Sequence, residues 1–241
     1  MDSSITAALA FGFVLGLRHA LDPDHLVAVS TIVSEHKSVA RSSLIGTLWG
    51  LGHTVSLLLV SVFILLLRAS IPEQLALWME IPVAIMLIVL GVSTTLRVKR
   101  EGGLRIHSHT HVHGETESPH THVHVHTHSG HVHEHRLFRL GRRPFMVGMV
   151  HGFAGSAALT LAVLSTIPSL ALGLLYIALF GIGSIGGMLL MSALIGLPFA
   201  MTARRFSIIN GRIQFCAGLF SIVFGLMLAW DLLHEIWKVS S

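Results

Sequence analysis

Apolar positions along the chain gather in long, nearly unbroken runs. Six runs reach the roughly 20 apolar helical residues that cross a bilayer core. They cover 4–33, 43–67, 75–97, 144–167, 170–198 and 209–237. The first carries Asp22, Pro23 and Asp24 in its middle. Proline lacks an N–H and clashes with the preceding turn, so it breaks a helix, yet it suits the first position of a new one. Asp22 then becomes the N-cap of the second half. The pattern predicts an all-α integral membrane protein with six transmembrane helices, the first broken at Asp22-Pro23. Its start, MDSSITAALAFGF, lacks a basic leader and a small-residue cleavage site, so it reads as the first span, not a cleaved signal peptide. The organisation is a three-helix unit over 1–98, a polar loop over 99–143 and a second three-helix unit over 144–241.

Charge sharpens this picture. Only 12% of the 241 residues are charged, against about 25% in soluble domains, so lipid solvates much of the surface. With six spans, the loops after spans one, three and five share a side. They hold Lys37, Arg41, Arg97, Lys99, Arg100, Arg105, Arg136, Arg139, Arg142, Arg143, Arg204, Arg205 and Arg212; the other side has Arg68 and Lys238. The positive-inside rule puts both termini outside and the central loop in the cytoplasm of a cell membrane. The net charge of +4 is therefore a topology signal and predicts no nucleic-acid partner. Cys216 is the single cysteine, which excludes an internal disulfide and a thiolate metal cluster.

Short stretches recur between the halves in order. Gly16-Leu-Arg-His19 matches Gly148-Met-Val-His151, Gly50-Leu-Gly52-His53 matches Gly181-Ile-Gly183-Ser184, and Ile88-Val-Leu-Gly91 matches Ile222-Val-Phe-Gly225, at offsets of 132, 131 and 134 residues. A repeat of three spans inserts its second copy upside down. Such inverted repeats are a transporter architecture with the substrate near mid-membrane.

Candidate chemistry concentrates in span one, in Arg18-His19-Ala-Leu-Asp22-Pro23-Asp24-His25. Intramembrane carboxylates and imidazoles are costly and usually face a functional cavity. Together they suit Ni, Co, Zn, Mn or Fe ions. His19 and Asp22 share a helix face, and a broken helix can turn His19 and His25 toward one point. A capped kink needs one Asp, not two, and no flanking histidines. His53 in span two and His151 in span four, the repeat partner of His19, are further candidate ligands. Ser156, Thr160 and Ser184 are candidates to line the path. Asp231, His234 and Glu235 at the end of span six, and Glu80 in span three, are candidates to collect cations at the outer mouth.

The polar loop holds His107, His109, His111, His113, His120, His122, His124, His126, His128, His131, His133 and His135. Near neutral pH most imidazoles are free to coordinate. So polar a tract predicts a disordered, cytoplasmic, metal-binding segment.

Arg18-His19-Ala-Leu-Asp22-Pro23-Asp24-His25 resembles the H-x4-D-H helix of nickel/cobalt transporters, commonly His-Ala-x-Asp-Ala-Asp-His-Ile. Leu51-Gly-His53-Thr resembles their Leu-Gly-His-Ser segment. Val150-His-Gly-Phe-Ala-Gly-Ser-Ala-Ala-Leu-Thr160 is similar to a segment of their small UreH-like members, named for urease accessory genes. The resemblance implies that His19, Asp22, Asp24, His25 and His53 select the metal. Pro23 stands where the family has Ala, Leu26 where it has Ile, and six spans where larger members have eight. The expectation is a Ni²⁺ or Co²⁺ transporter favouring uptake, with the ion as substrate, no permanently bound cofactor, and cytoplasmic metallochaperones as partners. Efflux, or a metal sensor or accessory protein for nickel-enzyme maturation, is the alternative. No Walker motif and no H-E-x-x-H helix is present, so neither ATP hydrolysis by that route nor a zinc protease of that type is expected, and the chain reads as no enzyme.

Overall fold

The computed structural model describes residues 3–67, 72–101, 106–111, 120–125, 136–154 and 169–240. Its helices are α1 (Ser3–His19), α2 (Pro23–Val33), α3 (Val39–Leu67), α4 (Glu73–Glu101), α5 (Arg136–Ala154), α6 (Leu170–Arg205) and α7 (Ser207–Ser240). Four described helices are long and apolar enough to cross a membrane, over Val39–Phe63, Gln74–Arg100, Leu170–Thr202 and Ile208–Ser240. At 1.5 Å per residue, the 29-residue α3 extends about 43 Å, more than the roughly 30 Å of a hydrocarbon core. Large apolar side chains such as Phe63, Leu194, Met201 and Trp230 face outward. In water such a surface would aggregate; in lipid it is solvated. The chain is a multi-pass membrane protein.

α1 ends at His19, and residues 20–22 form a tight turn in which the Asp22 N–H donates to the His19 carbonyl at 3.1 Å. Pro23 then opens α2 at its first position. α2 is only 11 residues long and is the buried centre of the fold, with His25, Val27, Ala28, Val29, Thr31, Ile32 and Val33 inside. It packs against α3, α4, α6 and α7. Trp49, Leu87 and Met188 close the core around it.

The longer helices meet through glycines. A side chain at Gly16 of α1 would strike the Phe180 carbonyl of α6, and one at Gly148 of α5 would strike the Trp49 carbonyl of α3. Gly183 of α6 lies on the Phe13 carbonyl of α1, and Gly52 of α3 on the Phe145 carbonyl of α5. Gly91 of α4 abuts Gly218 and Ile222 of α7, while Gly225 of α7 abuts Ala84 and Ile88 of α4. Close backbone approach through small residues is how helices associate in lipid, where no hydrophobic force drives them together.

At the end of α2, Glu35 accepts from Arg97 of α4 at 2.5 Å and lies 3.5 Å from Arg143 of α5. Burial pushes the neighbouring His36 below the ordinary imidazole range; Glu35 opposes the shift, and Arg41, Arg97 and Arg143 add to it.

The expectation of a disordered histidine segment is corrected in part. Ile106–His111 (β1) and His120–Val125 (β2) form an antiparallel pair, in which His107 faces His124, His109 faces His122 and His111 faces His120 in register. Polarity had argued against order. Yet His alternates with Ile, Ser, Thr and Val at a strand's period of two, and most of those interleaved residues favour strands. His113, His126, His128, His131, His133 and His135 lie outside the described residues. Apart from this pair, every described element is helical.

Candidate metal site

The turn at 20–22 brings the two ends of the Arg18–His25 segment together. The ring centroids of His19 and His25 are 4.5 Å apart, although they stand six positions apart in the sequence. His53 of α3 comes to 5.1 Å from His19 and 5.3 Å from His25. His151 of α5 comes to 4.1 Å from His25 and 5.8 Å from His53. Four imidazoles from four helices thus meet in the protein interior. His25, His53 and His151 are essentially inaccessible to solvent.

The carboxylates orient these rings. His19 Nδ1 donates to Asp22 Oδ2 at 2.7 Å, which leaves Nε2 pointing at His53 Nε2, 3.2 Å away. Asp24 sits between two rings: Oδ1 accepts from His25 Nδ1 and Oδ2 from His151 Nε2, each at 3.0 Å. Asp24 also accepts from the His25 backbone N–H at 2.9 Å. Asp22 occupies the N-cap position of α2, but its side chain makes no capping bond. The expectation that Asp22 is the N-cap of the second half-helix holds by position, while its carboxylate serves His19 instead of making a capping bond. A carboxylate on the far nitrogen fixes the tautomer and raises the basicity of the coordinating one.

Two groups have the spacing of a metal shell. The ligand atoms of His19, His25 and His53 all lie within 4.8 Å of one another, as do those of Asp24, His25 and His151. Metal–nitrogen bonds of about 2.0–2.1 Å place opposite ligands near 4.2 Å, so each group has the spacing to close on an ion. His25 Nε2 and His151 Nδ1 are buried without a hydrogen-bond partner among the described residues.

A cavity of about 200 Å³ leads to this cluster, lined by His19, Asp22, Pro23, Asp24, Glu80, Val83, Phe224 and Leu228. Asp22 and Asp24 remain 49% and 30% exposed, so the carboxylates face the cavity while the rings of His25 and His151 behind them are buried. Glu80 joins this mouth. Asp231, His234 and Glu235 do not: they are exposed on α7, where Glu235 pairs with Lys238 at 2.7 Å. Ser184, which the matched sequence stretches align with His53, is fully buried, and its hydroxyl has no partner among the described residues. Ser156 and Thr160 lie outside the described residues.

Sequence reasoning did not single out Trp49. It is completely buried and stacks on His25, with centroids 6.0 Å apart and planes 11° apart. It also meets His151 edge-on at 5.9 Å. Its only sequence signal was an aromatic residue one turn before His53. The Glu35 hub was missed as well; an acid amid a basic loop was the available sign.

Helices of membrane-crossing length surround a buried imidazole cluster with carboxylates facing an acidic cavity, an arrangement that suits a divalent cation. Residues 5–205 match the model of the high-affinity nickel-transport protein family, and the chain belongs to that family. It is 39% identical to the urease accessory protein UreH of Bacillus sp. (strain TB-90), over 97% of each chain. It is 38% identical to a high-affinity nickel transport protein of Cupriavidus necator, over 32% of this chain and 21% of that one. It is 24% identical to the chloroplast protein FOR GROWTH AND FERTILITY 1 of Arabidopsis thaliana, over 89% of this chain and 56% of that one. No solved structure matches.

Proposed function

We propose that this protein carries Ni²⁺, and Co²⁺ by the same chemistry, across the membrane in the direction of uptake. His19, Asp24, His25, His53 and His151 hold the ion, and Asp22 orients His19. The observation that carries this reading is the convergence of four histidines and Asp24 in a buried cluster behind an acidic cavity. The cavity carboxylates attract the hydrated ion. The imidazoles, borderline in softness, then replace its water, a preference that favours Ni²⁺ over Mg²⁺ or Ca²⁺.

The architecture we propose is six spans in a three-plus-three inverted repeat, with α1 and α2 as halves of one interrupted span and α5 opening the fourth. Paired contacts support it. The Gly16–Phe180 approach has its counterpart in Gly148–Trp49, Gly183–Phe13 in Gly52–Phe145, and Gly91–Ile222 in Gly225–Ile88. Each pair exchanges under the offsets of 131 to 134 residues that relate the halves. A two-fold relation in the membrane plane would produce this exchange, and the paired contacts support that reading. In the orientation given by the basic residues, both termini are outside and the histidine segment receives the ion in the cytoplasm, from which metallochaperones take it. The accessory label of the Bacillus relative fits nickel supply to an enzyme.

The test is ⁶³Ni²⁺ flux in proteoliposomes of known orientation, with His19→Ala, Asp24→Asn and His25→Ala at equal incorporation. Each variant loses flux, and wild-type flux runs from the face of the termini to the face of the histidine segment. Wild-type rates in all three sink the site, the reverse direction makes the protein an exporter, and absence of flux favours a sensor or accessory role.

A further inference from the structure

The two ligand groups share one residue, His25. Its Nδ1 lies on Asp24, which itself holds His151, while its Nε2 is buried with no partner among the described residues. The first group adds His19 and His53, whose Nε2 atoms stand 3.2 Å apart. The second adds Asp24 and His151. Only His25 belongs to both. His19 and His151 are the counterparts in the two halves of the chain, and one falls in each group. Both press on the same ring, His19 at 4.5 Å and His151 at 4.1 Å between centroids. Their surroundings correspond too: Phe180 lies 5.5 Å from His19, and its counterpart Trp49 lies 5.9 Å from His151.

We infer that the cluster holds two adjacent ion positions, His19–His25–His53 and Asp24–His25–His151, which share His25 and are occupied one at a time. This rests on the nickel-site reading above and deepens it. A ring has two nitrogens facing away from each other, so it can offer one to each position. Two dications bridged by one ring repel strongly in a dry interior, which makes occupancy exclusive. An inverted repeat also swaps the surroundings of counterpart residues when the transporter changes face. The favoured position then changes from that of His19 to that of His151.

Exclusive positions have an arithmetic consequence. The association constants of two mutually exclusive sites add, so removing one site leaves the constant of the other. His53→Ala removes a ligand from the first position only, and His151→Ala from the second only. The sum of their association constants therefore equals the wild-type value. A single centre built from all the ligands behaves otherwise, since each loss weakens the same site.

Trp49 provides the readout, because it stacks on His25 and touches His151, while Trp78, Trp230 and Trp237 are exposed on the outer surface. In full-length protein carrying Trp78→Phe, Trp230→Phe and Trp237→Phe, paramagnetic Ni²⁺ bound in the cluster quenches Trp49, whereas Ni²⁺ on the histidine segment does not. The titration is run on this background, with each single variant and with His53→Ala/His151→Ala together. The glutamine forms His53→Gln and His151→Gln guard against a cavity effect of alanine. The expected result is two single-variant association constants that sum to the background value within about a factor of two, and no saturable quench in the double variant. Both singles at a few per cent of the background value overturn the two-position arrangement in favour of one centre. A double variant that still binds like the background overturns it as well. Absence of any quench in the background protein, at Ni²⁺ concentrations that saturate transport, overturns the nickel site itself.

Discussion

His19 Nδ1 donates to the Asp22 carboxylate at 2.7 Å, across the turn that separates α1 from α2. The pair lies within the segment of the family motif, and in the site proposed above its role is orientation. Asp22 is half exposed and not in either ligand group. It holds the imidazole in the tautomer whose Nε2 faces the cluster. Asp22→Asn keeps the shape but loses the charge and permits the other tautomer. Ni²⁺ affinity should fall by about 10–100-fold, as for other outer partners of metal-binding histidines. The ion that binds should still pass, so apparent KM should rise more than the maximal rate falls. Proteoliposome uptake over a range of Ni²⁺ concentrations measures this. An unchanged KM with a collapsed rate would instead make Asp22 part of the path.

The glycine contacts give a second expectation, testable without metal. Gly16 and Gly148 each lie three residues before a cluster histidine and each abut a carbonyl of the facing helix. Gly16→Val and Gly148→Val therefore push α1 from α6 and α5 from α3, and shift His19 and His151 with them. Gly186 and Gly211 have nothing within 4 Å of an added Cβ. Gly186→Ala and Gly211→Ala should leave thermal stability and uptake near wild type. The valine variants should lower the melting temperature in detergent and lose most uptake. Equal tolerance at all four positions would mean that the helices are not held by these contacts.

Much of the site was legible because its residues break a strong local rule. Asp22, Asp24, His19 and His25 interrupt an apolar run, and Pro23 explains how one segment can bring both histidines to one place. His151 could be read from the repeat. The role of Asp22 was not legible: a helix cap and a histidine partner place the same residue at the same position, and only the distance separates them. Trp49 and Glu35 were missed because a tryptophan in an apolar run and an acid in a loop violate nothing. The strand pair was missed because polarity was weighed above period. Four of the apolar runs coincide with described helices long enough to cross a membrane, while α5 begins at Arg136, ahead of the run that opens at 144.

Glu35 leads to a third prediction. It receives Arg97 and lies beside Arg143, and so ties the end of α2 to α4 and α5. Its carboxylate is only 17% exposed and Arg97 27%, so water screens the Arg97 pair only partly. Glu35→Gln leaves two guanidinium groups facing each other without their carboxylate. A charged hydrogen bond of this kind contributes about 1.5–3 kcal/mol. In a chain of this length, each kcal/mol lowers the melting temperature by roughly 2–4 °C. Thermal unfolding in micelles should show that loss, with Glu35→Asp partway between. An unchanged melting temperature would place the pair with the exposed ion pairs that contribute nothing measurable.

The histidine segment yields the last prediction, because it should be separable from the core. Selection requires ligands at fixed positions, and the cluster draws them from α1, α2, α3 and α5. The strand pair sets His107, His109 and His111 in register with His124, His122 and His120, and it packs extensively on none of the described helices. Joining Ile106 to Arg136, with residues 107–135 deleted, should therefore leave the order of preference among Ni²⁺, Co²⁺ and Zn²⁺ unchanged in uptake assays. The metal bound per purified protein should drop. pH separates the two components further. Exposed imidazoles coordinate only when neutral, so binding by the segment should weaken as pH falls through about 6.5, while the deletion variant lacks that multi-site component. Equilibrium dialysis with ⁶³Ni²⁺ from pH 8 to pH 5, on both proteins, gives the comparison. If the deletion reorders the metals carried, the filter lies in the segment, and the cluster behind Asp22 and Asp24 is only a passage.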